Sequence, residues 1–291
     1  MSGISSGPVL VGIDGSQSAL AAVWWAAAEA RSLRRPLLVV HATVWPLIGH
    51  PPPPAVLTDY RELLVAEGNR WLQQAVEVAT EAAPEVDVRQ ELLTGDAGRV
   101  LLTRSADACE IVVGSRGLGG FTGMLVGSVA VVLAHHAQCP VVVVRGAGDP
   151  AGPVVVGVDG SPASHNAVGY AFSAAGRTGA PLTAVHTWSD VGVGELWGPP
   201  GSMLDWEAIR EDQRRVLTEQ LAPWQDKYSG VEVQAVVEQD RPAPVLREAG
   251  RNARLLVVGS RGRGGFTGLL LGSTSRALVH HAPCPLAVVR S

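Results

Sequence analysis

Short apolar runs alternate along the chain with segments whose apolar residues recur at helical spacing. In the first half, the runs predict strands at residues 8–13, 37–43, 86–92, 110–113 and 140–144. The intervening segments predict helices at residues 17–33, 60–82, 97–106 and 128–137, and the proline-rich residues 45–54 predict an excursion from the fold. Strands rich in Val, Ile and Leu that alternate with helices indicate a parallel sheet covered on both faces. The fold class expected is therefore α/β.

The same pattern recurs in the second half at a constant offset of 145 residues. The residues that match across this offset include Asp14 and Asp159, His41 and His186, Gly114 and Gly259, and Cys139 and Cys284. A constant offset over so long a stretch indicates a duplicated domain. We predict one domain at 8–145 and a second at 153–290, joined by a Gly- and Pro-containing linker at 146–152.

A glycine-rich loop follows the fourth predicted strand of each copy, at residues 114–128 and 259–273. Each loop leads into a predicted helix, whose first backbone N–H groups attract anions. In a doubly wound sheet, ligands bind beyond the carboxyl ends of the strands where strand order reverses. If the first strand lies centrally beside the fourth, Asp14 and Asp159, at the end of each first strand, emerge beside the loops. The alternatives are a flexible surface loop, and aspartates that serve only the turn and helix start.

Two familiar phosphate-binding motifs are excluded. The chain has no Gly-x4-Gly-Lys-Ser/Thr sequence, and its single lysine, Lys227, lies far from both loops. The glycines follow the fourth strand, whereas a dinucleotide-binding fingerprint follows the first. We therefore expect backbone N–H groups to bind the anion, with Arg116 or Arg261 as the nearby cation. The alternative is that these arginines are solvated.

Composition narrows the class of protein. A net charge of -4 gives no electrostatic reason to expect nucleic acid or an anionic membrane as a partner. No apolar run reaches the roughly 18 residues of a membrane helix, and the first residues do not resemble a signal peptide, so we expect a cytoplasmic protein. The three cysteines, Cys109, Cys139 and Cys284, form no metal-binding pair and are expected to be small core residues.

The spacing Gly-x2-Gly-x9-Gly-Ser, together with Asp-Gly-Ser after the first strand, resembles the ATP-binding branch of the universal stress protein family. The resemblance covers residues 8–145 and 153–290 and implies two tandem, five-stranded, Rossmann-like parallel sheets of order 3-2-1-4-5 in a protein of the stress response. Family members pair through their last strands, which implies that residues 141–144 and 286–289 pair either within one chain or between chains, with a homodimer expected; an open apolar edge strand is also a liability.

The resemblance also implies an ATP site in each domain. In the first domain the implied ATP-binding residues are Gly12, Asp14, Ala42, Gly114, Ser115, Arg116, Gly117, Gly119, Gly120, Gly127, Ser128 and Val129. In the second they are Gly157, Asp159, Thr187, Asp190, Gly259, Ser260, Arg261, Gly262, Gly264, Gly265, Gly272, Ser273 and Thr274. Asp14 and Asp159 are also candidates for Mg²⁺ held through the phosphates. Trp45 stands where the second domain has Asp190, so the two sites are expected to differ.

Three functions remain open: a nucleotide-dependent regulator, a slow ATPase or self-phosphorylating protein, and a scaffold whose nucleotide is structural. We favour the regulator, because no catalytic set of nucleophile, base and orienting group is visible. The histidines do not change this preference. His41 and His186 are expected in the core or behind the site. The adjacent pairs at 135–136 and 280–281 suit helix C-termini better than a metal site.

Overall fold

The computed structural model describes residues 6–44, 54–118, 126–146, 148–188, 206–263 and 270–290. The chain divides into two compact units, Met1–Arg145 and Gly146–Ser291. Most of the proline-rich excursion, residues 45–53, lies outside the described residues.

The first unit contains a five-stranded parallel sheet of order β3-β2-β1-β4-β5, which confirms the predicted fold class and strand order. Its strands are β1 (Val9–Ile13), β2 (Leu37–Thr43), β3 (Val88–Thr94), β4 (Glu110–Gly114) and β5 (Val141–Val144). Gly12 in the central strand lies opposite both Val40 and Val113. The carboxyl ends of β1, β2 and β4 therefore meet at one edge of the sheet.

The helices of the first unit are α1 (Gln17–Leu33), α2 (Pro54–Ala82), α3 (Ala97–Arg104) and α4 (Ser128–His136). The bounds of α1 match the prediction, because the Ser16 side chain caps its start by accepting the Ala19 N–H at 3.2 Å. The predicted start of α2 at Tyr60 was wrong, since the helix begins six residues earlier at Pro54. Proline interrupts a helix interior but suits the first helical turn, where its missing N–H has no intrahelical partner.

The second unit repeats this architecture, with strand order β8-β7-β6-β9-β10. Its elements are β6 (Val154–Val158), α5 (Pro162–Thr178), β7 (Leu182–Trp188), α6 (Trp206–Lys227), β8 (Val233–Gln239), α7 (Pro242–Ala249), β9 (Leu255–Gly259), α8 (Ser273–His281) and β10 (Leu286–Val289). The segment predicted as a linker packs partly on this unit, because the Asp149 N–H donates to the Ala253 carbonyl at 3.2 Å.

The core of each unit consists of aliphatic strands and alanine-rich helix faces. In α1, Ala22, Ala26 and Ala30 are fully buried and let the helix lie close to the sheet. All three cysteines are buried, as predicted, and burial raises the pKa of each thiol to about 12. No helix in the described ranges combines the length and apolar character that a membrane crossing requires.

Candidate functional site

A cavity of about 250 Å³ opens at the carboxyl edge of the first unit's sheet. The ends of β1 and β4, the glycine-rich loop and the first turn of α4 form its wall. The predicted site residues that line it are Gly12, Asp14, Ala42, Gly114, Arg116, Gly117, Gly127, Ser128 and Val129. The topology therefore brings together residues that are more than 100 positions apart in the sequence.

The start of α4 faces this cavity without a side-chain cap. Gly127 is the N-cap residue, and no side chain among the described residues accepts a hydrogen bond from the helix's first N–H groups. In contrast, Ser16 caps α1, and Asp96 caps α3 by accepting the Arg99 N–H at 2.9 Å. The positive end of the α4 dipole is thus directed at the cavity, an arrangement suited to a phosphate group.

Hydrogen bonds to α1 fix the beginning of the glycine-rich loop. The Ser16 hydroxyl donates to the Arg116 carbonyl at 3.3 Å, and the Arg116 N–H donates to the Ser18 hydroxyl at 3.3 Å. The far end of the loop returns to the same place, because the Gly127 N–H donates to the Ser115 carbonyl at 2.8 Å. Both ends of the loop are therefore held before any ligand binds.

Asp14 also holds this loop. Its Oδ1 accepts the Ser16 N–H at 3.1 Å, and its Oδ2 accepts the Leu118 N–H at 2.8 Å. A methyl group at Gly117 would overlap Oδ2, so glycine is required beside this carboxylate. Asp14 therefore serves the turn, which was one predicted alternative, while it also lines the cavity.

The second unit repeats the contact. Asp159 Oδ1 accepts the Ser161 N–H at 2.9 Å, and Oδ2 accepts the Arg263 N–H at 3.0 Å. A methyl group at Gly262 would again overlap Oδ2. The recurrence at the 145-residue offset indicates that the anchored loop is a feature of the fold.

The loop glycines differ in what restricts them. A Cβ at Gly114 would lie 2.6 Å from the Ser18 hydroxyl, so this glycine allows α1 to approach the loop. Among the described residues, the nearest neighbour of a Cβ at Gly127 would be 3.8 Å away, and that of a Cβ at Gly272 would be 3.5 Å away. The protein's own packing therefore explains Gly114 but leaves room for a side chain at Gly127 and Gly272.

Some predicted site residues lie elsewhere. Ser115 and Ser260 are buried behind the loops and line neither cavity, because each follows a buried strand directly and its N–H continues the pairing with the last strand. The predicted site residues Gly119, Gly120, Asp190, Gly264 and Gly265 lie outside the described residues.

The second unit's cavity is larger, at about 650 Å³. The predicted residues that line it are Gly157, Asp159, Thr187, Gly259, Arg261, Gly262, Gly272, Ser273 and Thr274. Trp188 also lines the cavity, and sequence reasoning missed five further polar lining residues, namely Ser164, Gln213, Asp240, Arg263 and Ser275. Comparison of the two copies across the 145-residue offset could have found them, since their equivalents are Ala19, Gly68, Gly95, Leu118 and Ala130.

A second arginine stands near each loop arginine at the end of the last strand. Burial lowers the pKa of Arg145, and the charge of Arg116 lowers it further. Burial and Arg261 act in the same way on the pKa of Arg290. Two guanidinium groups thus concentrate positive charge beside each loop, which favours an anion there.

His41 and His186, near the ends of β2 and β7, are buried, as predicted, and pack behind the two cavities. His41 Nδ1 lies 2.9 Å from the Ile13 carbonyl, and the ring contacts Trp71 edge-on at a centroid distance of 5.0 Å. His186 Nδ1 lies 2.7 Å from the Val158 carbonyl, and its Nε2 lies 3.0 Å from Gln213 Oε1. These contacts tie the second strand of each unit to the first.

Metal ligands are sparse around both cavities. Across the described part of the chain, no three His, Cys, Asp or Glu side chains group together in a way that could hold a metal ion. The paired histidines at the ends of α4 and α8 lie within the last helical turn of each helix. A metal ion at either site would therefore take most of its ligands from a bound molecule or water.

Comparison with known proteins gives a consistent result. The model of the universal stress protein family matches residues 6–145 and again 151–290. A universal stress protein of Mycolicibacterium smegmatis is 40% identical over 289 residues, which cover 97% of this chain and 96% of that protein. One from Mycobacterium tuberculosis is 40% identical over 300 residues, 99% of this chain and 98% of that protein. The crystal structure of a universal stress protein from Archaeoglobus fulgidus superposes with a TM-score of 0.69 at 22% identity, covering 99% of this chain and 97% of that one.

Proposed function

The chain belongs to the universal stress protein family, and from this premise we propose that each of its two cavities binds ATP. The observation that carries the proposal is the uncapped helix start in each cavity. Both α4 and α8 begin at a glycine N-cap that receives no side-chain hydrogen bond from the described part of the chain, and both glycines line a cavity. Backbone N–H groups that no side chain caps are natural partners for phosphate oxygens.

The cavity walls suggest how the nucleotide would lie. The phosphates would meet the first turn of α4 or α8 and the side chain of Arg116 or Arg261. The adenine would lie toward the end of β2 or β7, near Ala42 or Thr187, where backbone groups are available at the strand end. This orientation uses the apolar floor of the sheet for the base and the positive helix end for the charge.

Mg²⁺ is part of the proposal through the phosphates. A bound Mg²⁺ commonly takes one or two carboxylates, phosphate oxygens and several waters. The first cavity offers one carboxylate, Asp14, and the second offers Asp159 and Asp240. Asp14 and Asp159 already accept backbone N–H groups with both oxygens, and Asp240 Oδ1 accepts the Arg241 N–H at 2.6 Å. Each carboxylate oxygen keeps a further lone pair, so these residues fit a supporting role and not a dedicated metal cage.

A nucleotide-dependent regulator of the stress or growth-arrest response is the function that these features favour. The cavities carry groups that hold phosphates, and the carboxylates that line them already accept backbone N–H groups. Asp14 and Asp159 each use both carboxylate oxygens to anchor a loop. Slow hydrolysis or self-phosphorylation, and a purely structural nucleotide, are the competing functions. We also propose that the protein is a cytoplasmic homodimer. Light scattering of the purified chain tests whether it is a dimer.

The direct test is mass spectrometry of nucleotide released from the purified, denatured chain, followed by calorimetric titration with ATP and Mg²⁺. We expect binding of up to two ATP per chain and intact ATP after hours of incubation. The double variant Gly127→Ala and Gly272→Ala should weaken binding about tenfold or more by covering the helix N–H groups. Absence of both co-purified nucleotide and measurable ATP binding would refute the proposal, whereas rapid hydrolysis would favour the enzyme.

A further inference from the structure

The two cavities differ at several positions that the repeat makes equivalent, and two of these lie beside the glycine-rich loop and the helix start. Leu118 follows Gly117 in the first unit; its side chain is 61% exposed and does not line the cavity. Arg263 takes the same place in the second unit and does line the cavity. At the second residue of the helix, Val129 in the first cavity becomes Thr274 in the second. A cation and a hydroxyl thus replace two aliphatic side chains.

Other polar replacements in the second unit serve the protein's own structure. The Ser164 hydroxyl accepts the Asp159 N–H at 3.0 Å, and the Ser275 hydroxyl donates to the Gly259 carbonyl at 2.6 Å. The Gln213 amide holds a histidine ring at 3.0 Å. These side chains shape the wall. Trp188 and Asp240 also differ between the units, but they lie at the ends of β7 and β8, on the side of β6 away from the loop that follows β9. The difference beside the loop and the helix start therefore falls on Arg263 and Thr274.

The Arg263 guanidinium lies at the carboxyl end of β6. A methyl group at Gly160, in the turn after that strand, would overlap its Nη2. In the first unit, the equivalent Gly15 is covered by the indole ring of Trp71. The second unit therefore places a cation where the first unit has an aromatic ring.

We propose that the second cavity is selective for the triphosphate, with Arg263 and Thr274 binding the outer phosphates, and that the first cavity discriminates little between ATP and AMP. This inference depends on the proposal that both cavities bind adenine nucleotides. A guanidinium group makes strong charge-assisted hydrogen bonds to phosphate oxygens, and a hydroxyl at a helix start adds a donor. Backbone N–H groups, which both cavities share, account for the binding that they have in common.

The cavity volumes agree with this division. Ligand cavities span roughly 300 to 1,000 Å³. The second cavity, at about 650 Å³, lies within this range, and the first, at about 250 Å³, lies just below it. The larger second cavity therefore has more room for the outer phosphates.

The sites are measured one at a time in the full chain. Gly127→Val closes the first site and Gly272→Val closes the second; the backbone at both positions is extended, a conformation that valine adopts without strain. Each single-site protein is titrated with ATP, ADP and AMP by calorimetry. We expect the ratio of ATP to AMP affinity to be about tenfold or more higher at the second site than at the first.

The repeat supplies a reciprocal exchange. In the protein whose first site is closed by Gly127→Val, Arg263→Leu should lower ATP affinity about tenfold or more while changing AMP affinity less than about twofold. In the protein whose second site is closed by Gly272→Val, the reciprocal substitution Leu118→Arg should raise ATP affinity. Both side chains are exposed and both substitutions keep the backbone N–H that anchors the loop, so the fold should persist; thermal melting checks this.

The outcomes separate the two proposals. If neither single-site protein nor the wild type binds any adenine nucleotide, both proposals fail. If both sites bind with the same ratio of ATP to AMP affinity, nucleotide binding stands and the selectivity of the second site is refuted. An equal loss of ATP and AMP affinity in Arg263→Leu also refutes it, because the guanidinium then does not act through the outer phosphates.

Discussion

Asp14 Oδ2 accepts the backbone N–H of Leu118 at 2.8 Å, across 104 residues of sequence. The bond joins the end of the central strand to the glycine-rich loop beyond β4. Because the other oxygen accepts the Ser16 N–H, the carboxylate fixes the loop and the start of α1 together. A residue predicted as a nucleotide ligand is therefore also the anchor of the surface to which the nucleotide would bind.

The first prediction concerns Asp14→Asn. The side-chain amide offers one oxygen where two N–H groups need acceptors, so one donor faces the NH2 group. We expect a loss of about 1–3 kcal/mol in unfolding free energy and faster hydrogen exchange at the Leu118 amide. Exchange mass spectrometry and urea unfolding measure both.

Asp149→Asn is the matched control. Asp149 Oδ1 accepts the Ala151 N–H at 2.9 Å, away from both cavities, and asparagine keeps that acceptor. This variant should leave exchange in the loop at wild-type rates. Unchanged exchange at Leu118 in Asp14→Asn would contradict an anchoring role.

The second prediction separates two glycines of one loop. Gly117→Ala places a methyl group against Asp14 Oδ2, so it should lower the melting temperature without any ligand. Gly127→Ala meets only ordinary contacts, so the ligand-free melting temperature should stay close to wild type while ATP affinity falls. Thermal melting with and without ATP distinguishes them. Equal ligand-free destabilisation by both variants would contradict the contacts described.

The fold was largely predictable from the sequence because its signals are local. Ser16 before an alanine-rich segment fixed the start of α1, and runs of Val and Ile located the strands. The start of α2 was missed because prolines favour loops, although Pro54 suits a first helical turn. In these cases the residues next to each element determined whether its position could be predicted.

The site was predictable as a set of residues but not as a set of contacts. Strand order alone brings Asp14 beside the loop after β4. The bond to the Leu118 N–H depends on the tertiary path of the loop, which no local pattern encodes. Arg263 was missed for the same reason, because one arginine in a glycine-rich loop has no preferred direction until the turn at Gly160 packs against it.

The third prediction compares equivalent glycines in the two units. Gly15 and Gly160 have φ angles of 83° and 76°, which cost an alanine about 1–2 kcal/mol. A Cβ at Gly15 would also enter the rigid indole of Trp71, whereas one at Gly160 would meet the flexible ends of Arg263 and Gln220. Gly15→Ala should therefore lower the unfolding free energy more than Gly160→Ala. Urea unfolding measures both, and the reverse order would contradict the packing described.

The last prediction concerns pH. Burial raises the pKa of the Cys139 thiol from an ordinary 9.0 to about 12, with the charge of Glu110 adding to the effect. Because the folded state favours the neutral thiol, its stabilising contribution is complete below pH 9 and is lost as the pH rises toward 12. Wild type should therefore lose about 1 kcal/mol more unfolding free energy than Cys139→Ala between pH 8 and pH 10. Urea unfolding at each pH measures this difference. Parallel decline of the two proteins would mean that the thiol ionises equally well in the folded and unfolded chain.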